Sequence, residues 1–282
     1  MLTCVILNYN DYESVINLYN QISGYDVLDK IILVDGASTD DSYAELKQLE
    51  NKKTVVLLAA KNGGYGYGNN IGIRYSLELG ADYVLVANPD VNFSQESIQN
   101  CLNMIREHSE CVAIAPCMQG IRRNRLAYKI TSPIKDVMFS CMTLNRLFNP
   151  RYYSKSYFED KSWCYVDAVP GSLVLFDAKK FAECGLYDEN VFLYHEEMII
   201  GKKFQSHNYK TILLLNSFYE HHHSVSVRKT FKSAWKIKKI TLKSHKYYLT
   251  KYNDKKAVSK SFLNILTPIL FLETLVWEKF KQ

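Results

Sequence analysis

The feature that most constrains the fold is a series of short apolar runs, at residues 3–7, 31–34, 55–59 and 83–87, each giving way at once to a polar cluster. The runs are rich in Val, Ile and Leu and alternate with helical patterns at 12–22, 71–79 and 95–107. That combination fits strands buried on both faces, as in a parallel sheet covered by helices. A further strand is expected at 112–115, and there is no internal repeat or low-complexity tract. With 282 residues, the chain can form one large α/β domain with an appendage, or two modest domains.

From 118 to 163 the pattern loosens into mixed basic and aromatic residues with turn signals at Ser132-Pro133 and Asn149-Pro150, which reads as an irregular insertion. Order returns at 168–176, in helices near 178–184 and 196–207, and in a strand at 211–215. Hydrophobic residues make up 47% of the chain, which excludes a disordered protein. The seven cysteines form no Cys-x-x-Cys pair and read as reduced cytosolic thiols. Because the N-terminus opens directly into an apolar run without a basic leader, a core strand is expected there rather than a signal peptide.

In open α/β sheets ligands bind beyond the carboxyl ends of the strands. The residues found there are Asn8-Tyr9-Asn10, then Asp35 to Asp41, then Asn62-Gly63-Gly64 through Asn69-Asn70, then Asn88-Pro89-Asp90. Any one of these could be a turn, but four in succession on one sheet edge point to a site. Asp35 can accept hydrogen bonds from a ribose or base, whereas Asp40 and Asp41 read as helix caps. The glycine-rich stretch lets backbone approach a ligand and leads into a helix whose N-terminus, expected near Asn70, favours phosphate. Asp90 can hold a hard divalent cation that neutralises a diphosphate. Further on, Glu196 and Glu197 are adjacent carboxylates flanked by aromatic residues: either a general base raised by burial and a like charge, or a solvated helix start. In the run His221-His222-His223, one imidazole suffices as a metal ligand.

In this order the blocks resemble the family 2 inverting glycosyltransferases, especially their bacterial rhamnosyltransferase-like branch. The match covers roughly residues 1–226 and rests on Leu7-Asn8-Tyr9-Asn10, Val34 to Asp40, Asn62 to Gly72, Asn88-Pro89-Asp90 and Gly185 to Glu197. The resemblance implies a GT-A fold, with a nucleotide-binding half at about 1–117 and an acceptor-binding half at about 118–226 in one continuous mixed sheet. It places Asn8, Tyr9, Asn10, Asp35, Gly63, Gly64, Asn69, Asn88 and Asp90 on the donor, and Asp167, Gly171 and Ser172 on the acceptor side. Glu197 falls where the family carries its catalytic base, with Glu196 in reserve, and Asp90 and His221 fall where Mg²⁺ or Mn²⁺ is held. The implied reaction transfers rhamnose or a hexose, from dTDP-rhamnose or a UDP-sugar, to a saccharide or lipid-linked hydroxyl in bacterial cell-surface polysaccharide synthesis.

Residues 227–282 read as a separate basic and amphipathic helical extension. Between Arg228 and Lys260 twelve Lys or Arg face one acid, Asp254, a local charge of +11 that leaves −5 for the rest of the chain, whose total is +6. The tail places Phe262, Ile265, Leu266, Ile269, Leu272, Val276 and Phe280 on one helical face, and Asn264, Thr267, Thr274 and Glu278 on the other. Its apolar stretch is too short to span a bilayer, so the expectation is an interfacial anchor at the inner face of the plasma membrane on a cytoplasmic protein. The alternative is packing on the protein's own core or in a homodimer. Three other readings compete. A dinucleotide oxidoreductase fails because its glycine fingerprint belongs after the first strand, and a sugar-nucleotide pyrophosphorylase lacks its basic loop there. A non-enzymatic basic protein binding membrane or nucleic acid is the remaining alternative; the acidic body and apolar tail argue against nucleic acid.

Overall fold

The computed structural model describes residues 1–122, 125–138, 140–141, 143–144, 147, 151–222, 234–253 and 256–279. His223, Arg228, Lys229, Lys232, Lys255 and Phe280, together with the expected boundary at 226/227, lie outside them.

Among the described residues one nine-stranded sheet organises the chain. Strands β1 (Leu2–Asn8), β2 (Lys30–Asp35), β3 (Thr54–Leu58) and β4 (Tyr83–Ala87) run parallel in the order β3-β2-β1-β4. Helices α1 (Tyr12–Ile22), α2 (Ser42–Lys47) and α3 (Tyr65–Glu78) form the crossovers. After β5 (Val91–Phe93) and α4 (Gln95–Glu107), β6 (Cys111–Met118) and β8 (Leu173–Asp177) continue the sheet, with β8 antiparallel to both β4 and β6. The long β9 (Lys210–His221) runs parallel to β6 and takes β7 (Trp163–Val166) and β5 as antiparallel partners near its opposite ends.

Period-two alternation divides the core into two layers. Val5, Ile32 and Val34 face a cluster containing Ile73 of α3, Phe181 of α6 (Ala178–Glu183), and Ile200 and Phe204 of α7 (Glu196–Ser206). Cys4, Ile6, Ile31 and Leu33 face Val15, Leu18 and Ile22 of α1 and Ile98 and Leu102 of α4. Strands covered on both faces are the arrangement expected from their unbroken apolar runs. In α3, Gly72 lets the helix lie close on the sheet: a Cβ there would come within 2.5 Å of Val5 Cγ1 and 3.0 Å of Val34 Cγ2.

Helix α3 starts at Tyr65, six residues before the expected 71, because packing against β1 overrides the poor propensity of Gly and Asn. The strand expected at 211–215 runs on to His221, and the brief edge strands β5 and β7 carried no recognisable pattern. The segment expected to be an irregular insertion contains a short helix, α5 (Pro133–Met138).

The C-terminal segment forms two helices, α8 (Ala234–Lys251) and α9 (Lys256–Lys279), lying antiparallel: Trp235 packs on Phe271 at 4.1 Å and Lys246 Nζ donates to Asn264 Oδ1 at 3.2 Å. Their inner faces build a third core in which Tyr248, Leu249, Leu263 and Leu270 meet Val137, Val191, Met198 and Ile199. The face expected to be uniformly apolar on α9 is divided. Phe262 and Leu266 are half-buried against this core, Thr274 is buried, and Ile265, Ile269, Leu272 and Val276 are exposed, joined by Leu275. No helix among the described residues is long and apolar enough to cross a membrane. Cys141 is half-buried and donates to Glu273 Oε1 of α9 at 3.3 Å, while the other six thiols are buried.

Candidate active site

The carboxyl ends of β1 and β2 are tied together by polar side chains. Asn8 and Asp35 are fully buried, and Asn8 Nδ2 donates to Asp35 Oδ2 at 2.8 Å and to Ser38 Oγ at 3.2 Å. Ser38 N donates to Asp35 Oδ1 at 2.9 Å, so each carboxylate oxygen already holds one bond. Asn10 takes a left-handed backbone (φ 53) and locks to Thr39 in both directions, donating from Nδ2 to Oγ1 at 3.1 Å and accepting from Thr39 N at 2.8 Å. Asp35 therefore fixes the two loops rigidly beside the half-buried Tyr9.

Next along the edge, β4 delivers Asn88-Pro89-Asp90. Asp90 Oδ1 lies 3.1 Å from His221 Nε2, and each side chain is 12% exposed. Two backbone features join them across 131 positions: Val91 pairs with His221 in the β5–β9 ladder, and His222 N donates to Asp90 O at 2.9 Å. A carboxylate oxygen and an imidazole nitrogen side by side fit a divalent cation of the Mg²⁺ or Mn²⁺ class. His222 instead lies out beside Glu220, 68% exposed.

The edge continues toward the acidic pair. Asn88 N donates to Ser172 O at 2.8 Å, and Ser172 Oγ lies 2.7 Å from Tyr219 Oη, with both residues buried. Gly171 sits between two polar side chains: a Cβ there would lie 3.6 Å from Glu197 Oε1 and 3.6 Å from Tyr65 Oη. Tyr65 Oη donates to Gly171 O at 2.7 Å, and Tyr65 N donates to Phe192 O at 2.9 Å. Thus Asp90, His221, Asn88, Ser172, Gly171, Glu197 and Tyr65 form one contiguous chain of contacts.

Glu196 and Glu197 open α7, where a helix N-terminus favours negative charge. Burial nevertheless dominates. It raises the pKa of both carboxyls, and the neighbouring charge of Glu197 pushes Glu196 up further. Glu196 Oε1 is buried with no hydrogen-bond partner among the described residues. The solvated helix start, one of the two readings of this pair, does not fit the burial of Glu196, whose carboxyl is pushed up to about 8.

Three expectations are displaced. Asp167 is not at the Gly171-Ser172 turn: its carboxylate accepts from Ile130 N at 2.9 Å and Gln205 Nε2 at 3.3 Å, and it lines a cavity of about 420 Å³ with Tyr153 and Tyr165. Gln205 is eight residues beyond Glu197 on α7, about 12 Å along the axis. The helix N-terminus lies at Tyr65, and Asn70 is buried one turn inside, bonded to Tyr187 and Glu189. The glycine stretch meets protein rather than open space. Gly63 abuts the Tyr67 ring, Gly64 (φ 92) lies against Phe192 O, and Asn69, fully buried, turns its Nδ2 back to Tyr65 O at 3.0 Å. Tyr65 and Tyr219 escaped sequence reasoning because nothing distinguishes them among 21 tyrosines.

Comparisons with known proteins bear on the family and the fold. Residues 3–178 match the model of the family described as Glycosyl transferase family 2. The low-salt glycan biosynthesis hexosyltransferase Agl10 of Haloferax volcanii is 31% identical over 202 residues, covering 70% of this chain and 59% of the relative. A UDP-N-acetylglucosamine–dolichyl-phosphate N-acetylglucosaminyltransferase of Methanococcus voltae is 25% identical over 124 residues, 39% of this chain and 49% of that protein. The chain thus spans only about half to three-fifths of the length of these relatives. GalNAc-T7, solved with UDP, GalNAc and Mn²⁺, superposes with a TM-score of 0.69 at 14% identity, covering 96% of this chain and 51% of its own. The mannosyltransferase PcManGT of Pyrobaculum calidifontis, in complex with GDP-Man and Mn²⁺, superposes at 0.58 with 12% identity, covering 98% and 73%. The mixed sheet flanked by helices is a GT-A fold, and the chain belongs to glycosyl transferase family 2.

Proposed function

We propose that the protein is an inverting, metal-dependent glycosyltransferase that passes a sugar from a nucleoside-diphosphate donor to an acceptor hydroxyl. The observation that carries this reading is the contiguity of the Asp90–His221 pair with buried Glu196 and half-buried Glu197, both raised by burial, through Asn88, Ser172 and Gly171. Glu197, whose Oε1 faces the Gly171 turn, accepts the hydroxyl proton as the acceptor oxygen bonds to the anomeric carbon. The bond from that carbon to the diphosphate breaks on the opposite side, so the configuration inverts. Mg²⁺ or Mn²⁺ held by Asp90 and His221 supplies positive charge to the leaving diphosphate when bound. Asn8, Tyr9, Asn10 and Asp35 shape the nucleoside end, and Ser172 borders the acceptor.

The donor is a hexosyl or rhamnosyl nucleotide, a UDP-sugar or dTDP-rhamnose, and the acceptor is a saccharide or lipid-linked hydroxyl in cell-surface polysaccharide synthesis. The outer face of the C-terminal hairpin supports a peripheral place at a membrane's inner face. On α8, Lys236, Lys239, Lys243 and Lys246 are exposed at helical spacing, and Lys246 reaches Asn264, next to Ile265. On α9, Ile265 and Leu272 are 70% and 63% exposed within the aliphatic stripe. A lysine row beside an aliphatic row suits an anionic lipid surface.

Calorimetry with UDP, TDP and GDP in Mn²⁺ tests the donor site. One nucleotide binds with an affinity lost on adding EDTA, and Asp90→Ala abolishes that metal-dependent increment. Equal affinity with and without EDTA in both proteins would remove the cation from the scheme.

A further inference from the structure

Immediately before the acidic pair, Tyr194 and His195 both take left-handed backbone conformations, φ 70 and φ 71. Neither is glycine, so each conformation is strained and persists only where surrounding contacts impose it. The contacts that meet this segment come from a remote helix, α8. His195 stacks on His245 with ring centroids 4.6 Å apart and planes 18° apart, and Tyr248 tilts over the same ring at 6.0 Å. One residue earlier, Leu193 O accepts from Ser244 Oγ at 2.7 Å. Five residues before Leu193, Asp188 Oδ2 accepts from Tyr247 Oη at 2.9 Å and Tyr252 Oη at 2.5 Å. One face of α8 thus grips residues 188–195 at three levels.

His245 is itself fixed. Its Nε2 lies 2.6 Å from Asp136 Oδ2 and its Nδ1 lies 2.9 Å from Ser140 Oγ, and Arg151 pairs with Asp136 at 3.1 Å. The ligand atoms of Asp136, His195 and His245 fall within 4.8 Å of one another. Arg151 already neutralises Asp136, however, and His245 already bonds it, so the cluster is satisfied as a protein-to-protein clasp except at His195, whose two ring nitrogens are buried without hydrogen-bond partners among the described residues. His195 therefore contributes its ring face, and that face touches His245.

We infer that His245 is a positioning residue: by stacking on His195, with Asp136 and Arg151 behind it, it holds the strained backbone that aims Glu196 and Glu197 at the acceptor turn. This role rests on the reading of the glutamate pair given above. It also makes α8 part of the active-site framework, whatever its outer face binds.

The test uses the full chain carrying His245→Ala or His245→Phe. By hydrogen–deuterium exchange, His245→Ala speeds exchange across 188–197 about 10-fold while peptides over 84–91 keep the wild-type rate, and His245→Phe, which retains an aromatic face, reverses most of the change. Unchanged exchange at 188–197, or an equal rise everywhere, overturns the proposal. So does a rise on adding EDTA that persists in Asp90→Ala, since a cation would then be holding the cluster. With whichever of UDP-glucose, UDP-N-acetylglucosamine, GDP-mannose or dTDP-rhamnose the wild type turns over, His245→Ala lowers kcat about 10-fold, leaves the donor KM within about 2-fold, and is rescued by His245→Phe. A wild-type kcat in His245→Ala refutes the positioning role. Failure of the wild type on every nucleotide sugar counts against the glycosyltransferase reading alone, and the exchange result then decides the clasp by itself.

Discussion

Glu196 and Glu197 occupy a first helical turn, where an exposed carboxylate would be comfortable, yet burial raises both above the ordinary glutamate value near 4.3. A raised base is protonated and inactive at low pH and gains function as pH rises through its folded pKa. The acidic limb of the kcat/KM profile is therefore expected above pH 4.3. Glu197→Gln should lower turnover roughly 10²- to 10⁴-fold with donor affinity nearly intact, since Asp90 and His221 stand on other elements. If Glu196→Gln is the inactive variant and Glu197→Gln is not, the assignment within the pair is reversed. The same raised values make a charged pair a burden on the fold. Stability from these groups is present below the unfolded pKa and is lost as pH rises through the folded one. Asp90 and the glutamates were legible in the sequence because each follows an apolar run or opens a helix. His245, Asp136 and Arg151 were not, because they come from three segments without periodic signal and meet only in the folded chain.

Among the elements, α3 is where sequence and structure part most. Its glycines read as a loop open to ligand, whereas they are where a helix and the segment before the acidic pair pass at backbone distance. Gly64 combines φ 92 with a neighbour, Phe192 O, that no side chain can displace cheaply because it is backbone. Gly64→Ala is therefore expected to be among the most damaging single changes, costing several kcal/mol by denaturant titration, beyond the ordinary range of about 0.5–3 kcal/mol. Gly80→Ala also meets φ strain, at φ 78, but has nothing within 4 Å and should cost less. Equal losses would mean that the Phe192 contact is slack. The strands were readable because unbroken Val, Ile and Leu runs follow from burial on both faces. β5 and β7 were not, since three or four residues are too few to establish a period, and it is β5 that sets Asp90 beside His221.

For the molecule as a whole, the hairpin has two surfaces of different character. The inner one clasps residues 188–195, and the outer one carries lysines beside aliphatics. Flotation with anionic liposomes is expected to recover the protein. Recovery should fall in Ile265→Ser/Ile269→Ser/Leu272→Ser, and high salt should weaken it by screening the lysines. Undiminished recovery of the triple variant would dissociate the stripe from lipid, and dimer formation abolished by the same changes would assign it to a second copy of the chain. The basic, apolar character of this region was visible in composition; its division into an inner and an outer face was not, because the third core draws on Val137, Val191 and Met198 from distant parts of the chain.

Cys141 lies against the hairpin, bonded to Glu273 of α9, while burial pushes the thiols of Cys4 and Cys111 up to about 12 and those of Cys164 and Cys184 up to about 11. The folded chain thus offers alkylating reagents one sulfur that is not buried, beside Glu273 of α9. The molecule carries its own single-site chemical gauge, in which the labelling rate of one thiol reports whether α9 is seated or lifted.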